Sequence, residues 1–405
     1  MEWQDLADKL RRMGVRLNAP KTMQPKQKHP VENVIDGEFL QTNYGRIFTA
    51  GVRYDLKDYR HGSQKLVTAS IPNRLAQWAK IELPNPFKLE NIIFLDTETT
   101  GLSGGTGTVA FMVGLARVEG DQLVLKQFFL RNPAEEQALL AGLGNFCDGM
   151  QAIVSYNGKS FDIPILNTRF ILNGFTSPFT GLPHYDLLHL VRRLWKARLS
   201  QCNLSNIEKN ILGLTRKSED IPGYLVPEIY SDYLLNGNAI PLKDVFYHNQ
   251  EDVVSLAALF AFLTDLMENP ACADDRNMRD ILSIGKLFER MGENDLASEL
   301  YEQSANRLEE LEDVTEPYMR KGLLAKRKKD YRTALLAWQD AAALGSIEAI
   351  IELAKYQEHV EKRADIALQY AEDALAACVE LGVSTQQLKE LENRKTRLLK
   401  KISRP

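Results

Sequence analysis

Two acidic residues, Asp96 and Glu98, end an apolar run of the sequence, "NIIFLDTETTG", which begins at Asn91. Burying an unpaired carboxylate costs on the order of several kcal/mol, so this pair needs a compensating partner. Side chains two residues apart in a strand share one face, and both carboxylates therefore project together. Two converging carboxylates suit a hard divalent cation such as Mg²⁺ or Mn²⁺. A solvated strand end is the alternative for "DTE" taken alone.

A third carboxylate follows another apolar run, "IVSYNGKSFDIPIL". This run predicts a buried strand, then a turn at Gly158, and then a helix that begins at Asp162. Lys159 lies inside the turn, so its position places a positive charge close to the acids. The segment therefore adds an acid and a cation to the predicted site.

A fourth carboxylate lies on the amphipathic segment "DVFYHNQEDVVSLAALFAFL". His248 and Asp252 are four residues apart and so lie on one helical face, whereas Tyr247 is rotated well off that face. A histidine with a pKa near 6.5 can accept a proton from water at neutral pH. The helix therefore offers a general base together with another acid.

The elements that must position these groups follow an α/β pattern from residue 91 to residue 266. Short β-like runs ("IIFLD", "TVAFMVGLARVE", "LVLKQFFL" and "AIVSYN") alternate with helical patterns in "EEQALLAGLGNFC", around 164–172 and 187–197, and from about residue 244. We predict an α/β domain with a mixed central sheet flanked by helices. The first acidic pair ends a strand, where open α/β sheets bind their ligands.

Two further regions flank this domain. Residues 1–90 predict an N-terminal extension that packs on it, with a helix over 3–14, a loop to about Glu32 and short strands in "FLQTNYGRIFTAGVRYDL". Residues 278–405 predict an all-helical domain. Its segments "ASELYEQS", "ALLAWQDA" and "ALQYAEDA" begin 37 and then 33 residues apart, a spacing that resembles tetratricopeptide repeats. A plain antiparallel helical bundle is the alternative.

Composition limits the classes of function. The 405 residues, 44% of them hydrophobic, can fill two or three domains, and no apolar run is long enough for a membrane helix or a signal peptide. We expect a cytoplasmic protein without membrane contact. The four cysteines show no paired spacing, and a net charge of −4 is unlike that of a strongly basic nucleic-acid binder. Residues 91–265 carry 13 Lys and Arg against 18 Asp and Glu, so phosphate would be repelled unless bound cations neutralised some charge.

Two weaker features lie between the second and third acidic segments. Asp186, in "HYDLLHL", predicts a helix cap, with a supporting acid of the site as the alternative. A helix that follows carries Arg192, Arg193, Lys196 and Arg198. This basic face predicts either a grip on a phosphate backbone or an ordinary solvated surface, and the two readings stay open.

The segments "DTETTG", "YNGKSFD" and "HNQED", in this order, resemble the three motifs of the DEDD superfamily, the ribonuclease H-like 3′–5′ exonucleases. The intervening "CNLSNIEKNILGLTRKSEDIPG" is similar to the segment before the third motif in exonuclease domains of family B DNA polymerases. Together with the C-terminal helical repeats, the pattern resembles the bacterial YprB-like ribonuclease H-like proteins. The resemblance covers roughly residues 91–265.

The resemblance implies a role for each matching residue. Four carboxylates match the ligands of two divalent metal ions, Mg²⁺ or Mn²⁺: Asp96, Glu98, Asp162 and Asp252. Five residues beside them are expected to contact the substrate: Thr97, Asn157, Lys159, Phe161 and Tyr247. In the superfamily, the base is a Tyr four positions or a His five positions before the last Asp, whereas this chain reverses the two. His248 is favoured as the base because it shares a helical face with that Asp, and Tyr247 stays the alternative.

The implied activity is hydrolysis of phosphodiester bonds by two metal ions. We expect a 3′–5′ exonuclease that trims single-stranded DNA or RNA, with the helical repeats as a docking platform for a protein partner. A ribonuclease H-type endonuclease that cuts internal bonds is one alternative. A nucleic-acid-binding scaffold with little turnover is the other.

Overall fold

The computed structural model describes residues 29–68, 70–83, 86–101, 107–216, 221–270, 277–305, 313–381 and 385–403. The helix expected over residues 3–14 lies outside these ranges. The chain divides into two compact units, each assembled from three segments. The first unit is Met1–Tyr59, Lys88–Leu182 and Thr215–Ala257, and the second is Arg60–Phe87, Pro183–Leu214 and Ala258–Pro405. The predicted domain limits at residues 90, 266 and 278 stay a prediction.

The first unit contains a mixed sheet, as expected from the sequence. Its strands are β1 (Glu38–Thr42), β2 (Gly45–Asp55), β3 (Ile92–Thr99), β4 (Ala110–Glu119), β5 (Gln122–Phe129) and β6 (Ala152–Ser155). They lie in the order β1-β2-β5-β4-β3-β6. Strands β3 and β6 run parallel, and the other pairs run antiparallel. A seventh strand, β7 (His184–Asp186), belongs to the second unit.

The α-helices alternate with the strands in the first half of the chain and follow one another in the second. In chain order they are α1 (Asn73–Ala79), α2 (Glu136–Phe146), α3 (Asp162–Leu172), α4 (Leu187–Trp195), α5 (Leu204–Ile207), α6 (Val226–Asn236), α7 (Leu242–Glu268), α8 (Met278–Met291), α9 (Asn294–Ser304), α10 (Glu316–Arg327), α11 (Tyr331–Ala343), α12 (Ile347–His359), α13 (Ala364–Leu381) and α14 (Thr385–Ile402). The predicted α/β domain followed by an all-helical region is confirmed.

Strand β3 is apolar on both faces because the sheet is covered on both sides. Ile92, Ile93, Phe94 and Leu95 are all buried. A strand buried on both faces needs a continuous apolar run rather than an alternating one. The run ends where the strand reaches Asp96, which is partly buried. The apolar residues therefore hold the strand in the core, and the polar residues that follow them remain available to contact a ligand.

A row of three residues crosses the middle of the sheet. Asp96 on β3 lies opposite Gly114 on β4, and Gly114 lies opposite Gln127 on β5. Residues directly opposite in antiparallel strands project to the same face. That face is covered by α7, since an added Cβ at Gly114 would meet the side chains of Asn249 and Val253. The first part of α7 therefore lies directly over this row.

The helical part of the second unit is built by serial packing. Each helix from α8 to α14 contacts the next one in the chain. Trp338 is buried on α11 and lies so close to Gly322 of α10 that a Cβ added there would be 2.4 Å from its indole nitrogen. Because only glycine leaves this space, the two helices approach closely. The likeness to tetratricopeptide repeats stays a prediction.

A buried carboxylate joins α12 to the terminal helix. The side chain of Glu358 has no exposed surface and accepts hydrogen bonds from three cations of α14: Arg394, Arg397 and Lys401. Burial alone would raise the pKa of Glu358, but these hydrogen bonds and the neighbouring charges lower it to about 2. The cluster therefore fixes α14 by charge as well as by apolar contact.

Within the ranges that the structure describes, no helix is both long enough and apolar enough to cross a bilayer.

Candidate active site

The first two predicted acids occupy the end of β3. Asp96 and Glu98 are two residues apart in the strand and so project to one face. Pairing with β4 is regular up to Glu98 and then shifts register between Glu98 and Thr99. Such an irregularity re-aims side chains and is common beside active sites. The end of β3 therefore departs from regular pairing next to the acidic pair.

The electrostatics of Asp96 show that the predicted acids lie together. Burial raises the pKa of its carboxyl well above the usual range, and the charges of Asp252, Glu98 and Asp162 raise it further. His248 acts in the opposite direction. Like charges disfavour ionisation only over short distances. The structure therefore gathers residues from β3, α3 and α7 that are up to 156 positions apart in the sequence.

Asp162 is the first residue of α3 and is buried. It accepts a hydrogen bond from the hydroxyl of Thr97, so Thr97, predicted to contact substrate, here bonds a predicted metal ligand. A Cβ at Gly158 would lie 2.9 Å from a carboxylate oxygen of Asp162 and 2.5 Å from the hydroxyl of Ser155. The glycine of this loop is therefore required by the close approach of its backbone to the acid.

His248 faces the acids from α7, as the helical spacing predicted. Its Nε2 lies 3.5 Å from Oδ2 of Asp252 and 3.9 Å from Oε1 of Glu98. The side chains of His248, Glu98 and Asp252 are 16%, 12% and 15% exposed. Tyr247 instead acts electrostatically on Tyr54 and Tyr59. The structure therefore places the histidine within reach of the acids.

Arg216 is a residue of the site that the sequence did not predict. Its guanidinium forms an ion pair with Asp252, and its Nη1 lies 3.1 Å from Nδ1 of His248. Arginine can only donate hydrogen bonds, so Nδ1 accepts, and a neutral His248 carries its proton on Nε2. The Arg216 side chain is only 7% exposed. It lies in the segment "LGLTRKSED", where no spacing rule pointed to it.

Two amides beside Asp96 were also not predicted from the sequence. Nδ2 of Asn249 donates to Oδ2 of Asp96 at 2.8 Å. Nε2 of Gln127 donates to Oδ1 of Asn249 at 3.0 Å and to the backbone oxygen of Phe246 at 2.7 Å. Both amides are buried. Asn249 lies next to His248 in the "HNQED" segment, and that adjacency was the available clue.

The remaining predicted residues lie in different surroundings. In the loop before α3, Asn157 and Lys159 are exposed, whereas Phe161 is partly buried against the core of the first unit. Asn157 has a positive φ of 67°. In the second unit, the carboxylate of Asp186 accepts from the backbone N–H of Leu188 at 3.2 Å and caps α4, as predicted.

The basic helix face after Asp186 is partly engaged. Arg198 forms a bidentate ion pair with Asp280 of α8, at 2.8 and 2.7 Å, within the second unit. Its guanidinium therefore already binds a carboxylate in this structure. Arg192 and Lys196 act electrostatically on Cys202.

The donor chemistry of the site fits a divalent cation. Carboxylate oxygens are the ligands that Mg²⁺ and Mn²⁺ prefer, and a bound cation would relieve the repulsion that raises the pKa of Asp96. Among the described residues, no three His, Cys, Asp or Glu side chains already form a complete set of metal ligands. Asp162 and Asp252 bond to Thr97 and Arg216 instead. Both acids would have to share or exchange these partners to bind a metal ion.

Comparison with known proteins agrees with this fold. The RNase_H_2 model of the RNase_H superfamily matches residues 93–264. The fold and this match define the region as a ribonuclease H-like domain, a class that indicates a nuclease. The chain is 35% identical over 324 residues to the Bacillus subtilis (strain 168) protein described as uncharacterized protein YprB, across 78% of this chain and 76% of that protein. The chain belongs to the YprB family.

One solved structure with some similarity is that of the family B DNA polymerase from the hyperthermophilic archaeon Pyrobaculum calidifontis. The two chains share 18% sequence identity with a TM-score of 0.33. The alignment covers 50% of this chain and 29% of the polymerase, so this chain spans less than a third of that protein.

Proposed function

We propose that this protein is a metal-dependent 3′–5′ exonuclease of the DEDD type that acts on single-stranded DNA or RNA in the cytoplasm. One observation supports the proposal above the others. Asp252, Glu98 and Asp162 all act electrostatically on Asp96, although they come from three separate elements. Repelling carboxylates are costly to gather, so their collection favours a site built for cations.

The proposed chemistry assigns the four acids to two Mg²⁺ or Mn²⁺ ions. Such ions, when bound, act as Lewis acids that favour deprotonation of water and stabilise the charge on a leaving oxygen. Asp96 and Glu98 are the first candidates for ligands because they share a strand face. Lys159, which is exposed in its loop, is the proposed contact to a phosphate of the strand.

His248 is the proposed base, and its present hydrogen bonds define what must change before it can act. With Nδ1 accepting from Arg216, the proton of a neutral imidazole is on Nε2, which faces Asp252 and Glu98. For Nε2 to accept a proton, the imidazole must first give its Nε2 proton to solvent and take one up on Nδ1, and this requires that Arg216 release Nδ1. We propose that a substrate phosphate draws Arg216 away, because a guanidinium matches phosphate oxygens in pairs.

The test is digestion of end-labelled oligonucleotides by the purified full-length chain with Mn²⁺. Single-stranded DNA and RNA labelled at the 5′ end should give a ladder that shortens stepwise, and the same strands labelled at the 3′ end should release label at once as a mononucleotide. Circular single strands should resist. Asp96→Asn should abolish cleavage, whereas Asp148→Asn, which removes an exposed acid, should not.

Three results would count against the proposal. Intact DNA and RNA across several lengths would refute nuclease activity of this kind. Cleavage of circular strands would favour the ribonuclease H-type endonuclease. Full activity in Asp96→Asn would place the chemistry elsewhere in the chain.

The helical region is proposed as a tetratricopeptide-like docking platform for a protein partner. The serial packing of α8 to α14 supports this role, because stacked helices form extended binding surfaces. If docking and hydrolysis are separable, Asp96→Asn should lose cleavage and keep partner binding. Loss of both would contradict a separate platform.

A further inference from the structure

The amide of Asn249 bridges two members of the residue row that crosses the sheet. Asp96, Gly114 and Gln127 lie side by side on β3, β4 and β5. Asn249 of α7 lies over the glycine, bonded on one side to the Asp96 carboxylate and on the other to Gln127. The bridge is possible because Gly114 has no side chain: a Cβ there would lie 2.3 Å from Oδ1 of Asn249.

The hydrogen-bond partners determine how both amides are oriented. The nitrogen of Asn249 faces the Asp96 carboxylate at 2.8 Å and the Asp96 backbone oxygen at 3.4 Å, and an ionised carboxylate and a carbonyl can only accept. The nitrogen of Gln127 likewise faces the backbone oxygen of Phe246. Asn249 must therefore present its oxygen to Gln127. The chain of donors runs from Gln127 through Asn249 to Asp96.

We propose that Asn249, held by Gln127, is a positioning residue that fixes one oxygen of Asp96 and leaves the other oxygen directed toward a divalent cation. This inference rests on the metal site of the proposed function. Partners that bond to metal ligands restrict their rotation, and loss of such a partner commonly weakens metal binding about 10- to 100-fold.

The alternative explanation is that Asn249 has only a structural role. The burial of its amide argues against this. Asn249 is 0% exposed and Gln127 is 2% exposed. Burying an amide costs free energy that hydrogen bonds only offset, so an apolar residue would fill this space more simply. Gln127 already bonds the backbone of α7 at Phe246. What the Asn249 amide adds is its bond to one oxygen of Asp96.

The experiment measures Mn²⁺ binding by calorimetry in the full-length chain, together with thermal unfolding without metal. Asn249→Asp keeps the shape but replaces the donor with an acceptor, and Asn249→Ala removes the amide. Gln127→Met keeps the volume and removes the support. The matched control is Gln250→Ala, since that neighbouring amide of α7 donates to the hydroxyl of Tyr54 and not to Asp96.

Both Asn249 variants should bind Mn²⁺ at least about tenfold more weakly than the wild type, and Gln127→Met should show a smaller loss. Gln250→Ala should bind as the wild type does. At saturating Mn²⁺, Asn249→Ala should regain most of its cleavage rate with an unchanged KM for the oligonucleotide. A residue that merely filled the core would not show rescue by metal.

Wild-type Mn²⁺ affinity in folded Asn249 variants would overturn the inference. If those variants do not fold, Gln127→Met decides: wild-type affinity there also overturns it. Mn²⁺ binding that is unaffected by Asp96→Asn would overturn both this inference and the proposed metal site. A wild type that binds Mn²⁺ through Asp96 yet cleaves no nucleic acid would refute the proposed function alone, and the loss of affinity in Asn249→Asp would still support positioning.

Discussion

Replacement of Gly114 by alanine tests the geometry of the site most directly. The added Cβ would lie 2.3 Å from Oδ1 and 3.0 Å from Cγ of Asn249, and 2.8 Å from Cγ2 of Val253. Ordinary contact begins at about 3.4 Å, so the Asn249 oxygen must retreat by about 1.1 Å. Asn249 has no free direction, because Gln127 and Asp96 hold it from both sides.

The expected cost combines two terms. Overpacking a core commonly costs about 1–3 kcal/mol. Loss of a hydrogen bond to a buried charged group adds about 1.5–3 kcal/mol. We therefore expect Gly114→Ala to lower the free energy of unfolding by about 2.5–6 kcal/mol and to weaken Mn²⁺ binding about tenfold. Urea unfolding without metal and Mn²⁺ calorimetry measure the two effects separately.

Two further variants make this test specific. Gly144→Ala, on α2 of the same unit, meets nothing within 4 Å and should stabilise the protein by about 0.5–1 kcal/mol. The double variant Gly114→Ala/Asn249→Ala removes the clashing amide, so its unfolding free energy should be higher than the sum of the single effects predicts, while Mn²⁺ affinity stays low. Wild-type stability and affinity in Gly114→Ala, or strict additivity in the double variant, would refute the reasoning.

Three further substitutions test the charges. Without metal, Asp96→Asn should stabilise the protein by about 1–2 kcal/mol at pH 7, because the wild type loses stability as pH rises through the raised pKa of Asp96. Thermal unfolding with and without Mn²⁺ should show that added metal no longer stabilises the variant. The exposed control Asp148→Asn should change stability by under about 0.5 kcal/mol. Arg216→Ala should cost about 3 kcal/mol in urea unfolding, since Asp252 is left buried without its ion pair. Glu358→Gln should lower the free energy of unfolding by about 3 kcal/mol above pH 4.5. The wild type loses this contribution as pH falls toward 2, the lowered pKa of Glu358, so the stability of the variant should depend less on pH across this range. Each prediction fails if the variant matches the wild type.

Local patterns were sufficient to predict strands β1 to β6 and which acids share a face within one element. The period of two places Asp96 and Glu98 on one strand face, and the spacing of four places His248 and Asp252 on one helix face. Both rules act within a single element, where geometry follows directly from sequence separation. The strands β1 to β6 could be predicted for the same reason.

Contacts between elements could not be predicted in this way. Arg216 reaches Asp252 across 36 positions, and Asn249 reaches Asp96 across 153. Nothing in the residue types around them encodes the angle at which α7 crosses the sheet. No pattern within its apolar strand pointed to Gln127, because its role depends on Gly114 in the neighbouring strand and on α7, which covers both. The sequence therefore indicated the candidate acids and the candidate base, whereas the residues that hold them depend on packing between elements.

The pairing of β2 with β5 affects how the protein is made. Residues 48–55 of β2 cover one edge of β5 along its whole length, although Gln122 follows Arg53 by 69 residues. At about 5–20 residues per second, a ribosome needs about 3–14 s to supply the second strand after the first. During that interval the β1–β2 hairpin carries an open edge, and a shortened chain starting at residue 91 would leave β5 open permanently. Since open strand edges recruit other chains, we expect aggregation of the nascent or shortened polypeptide, rather than loss of its acids, to limit the yield of folded protein.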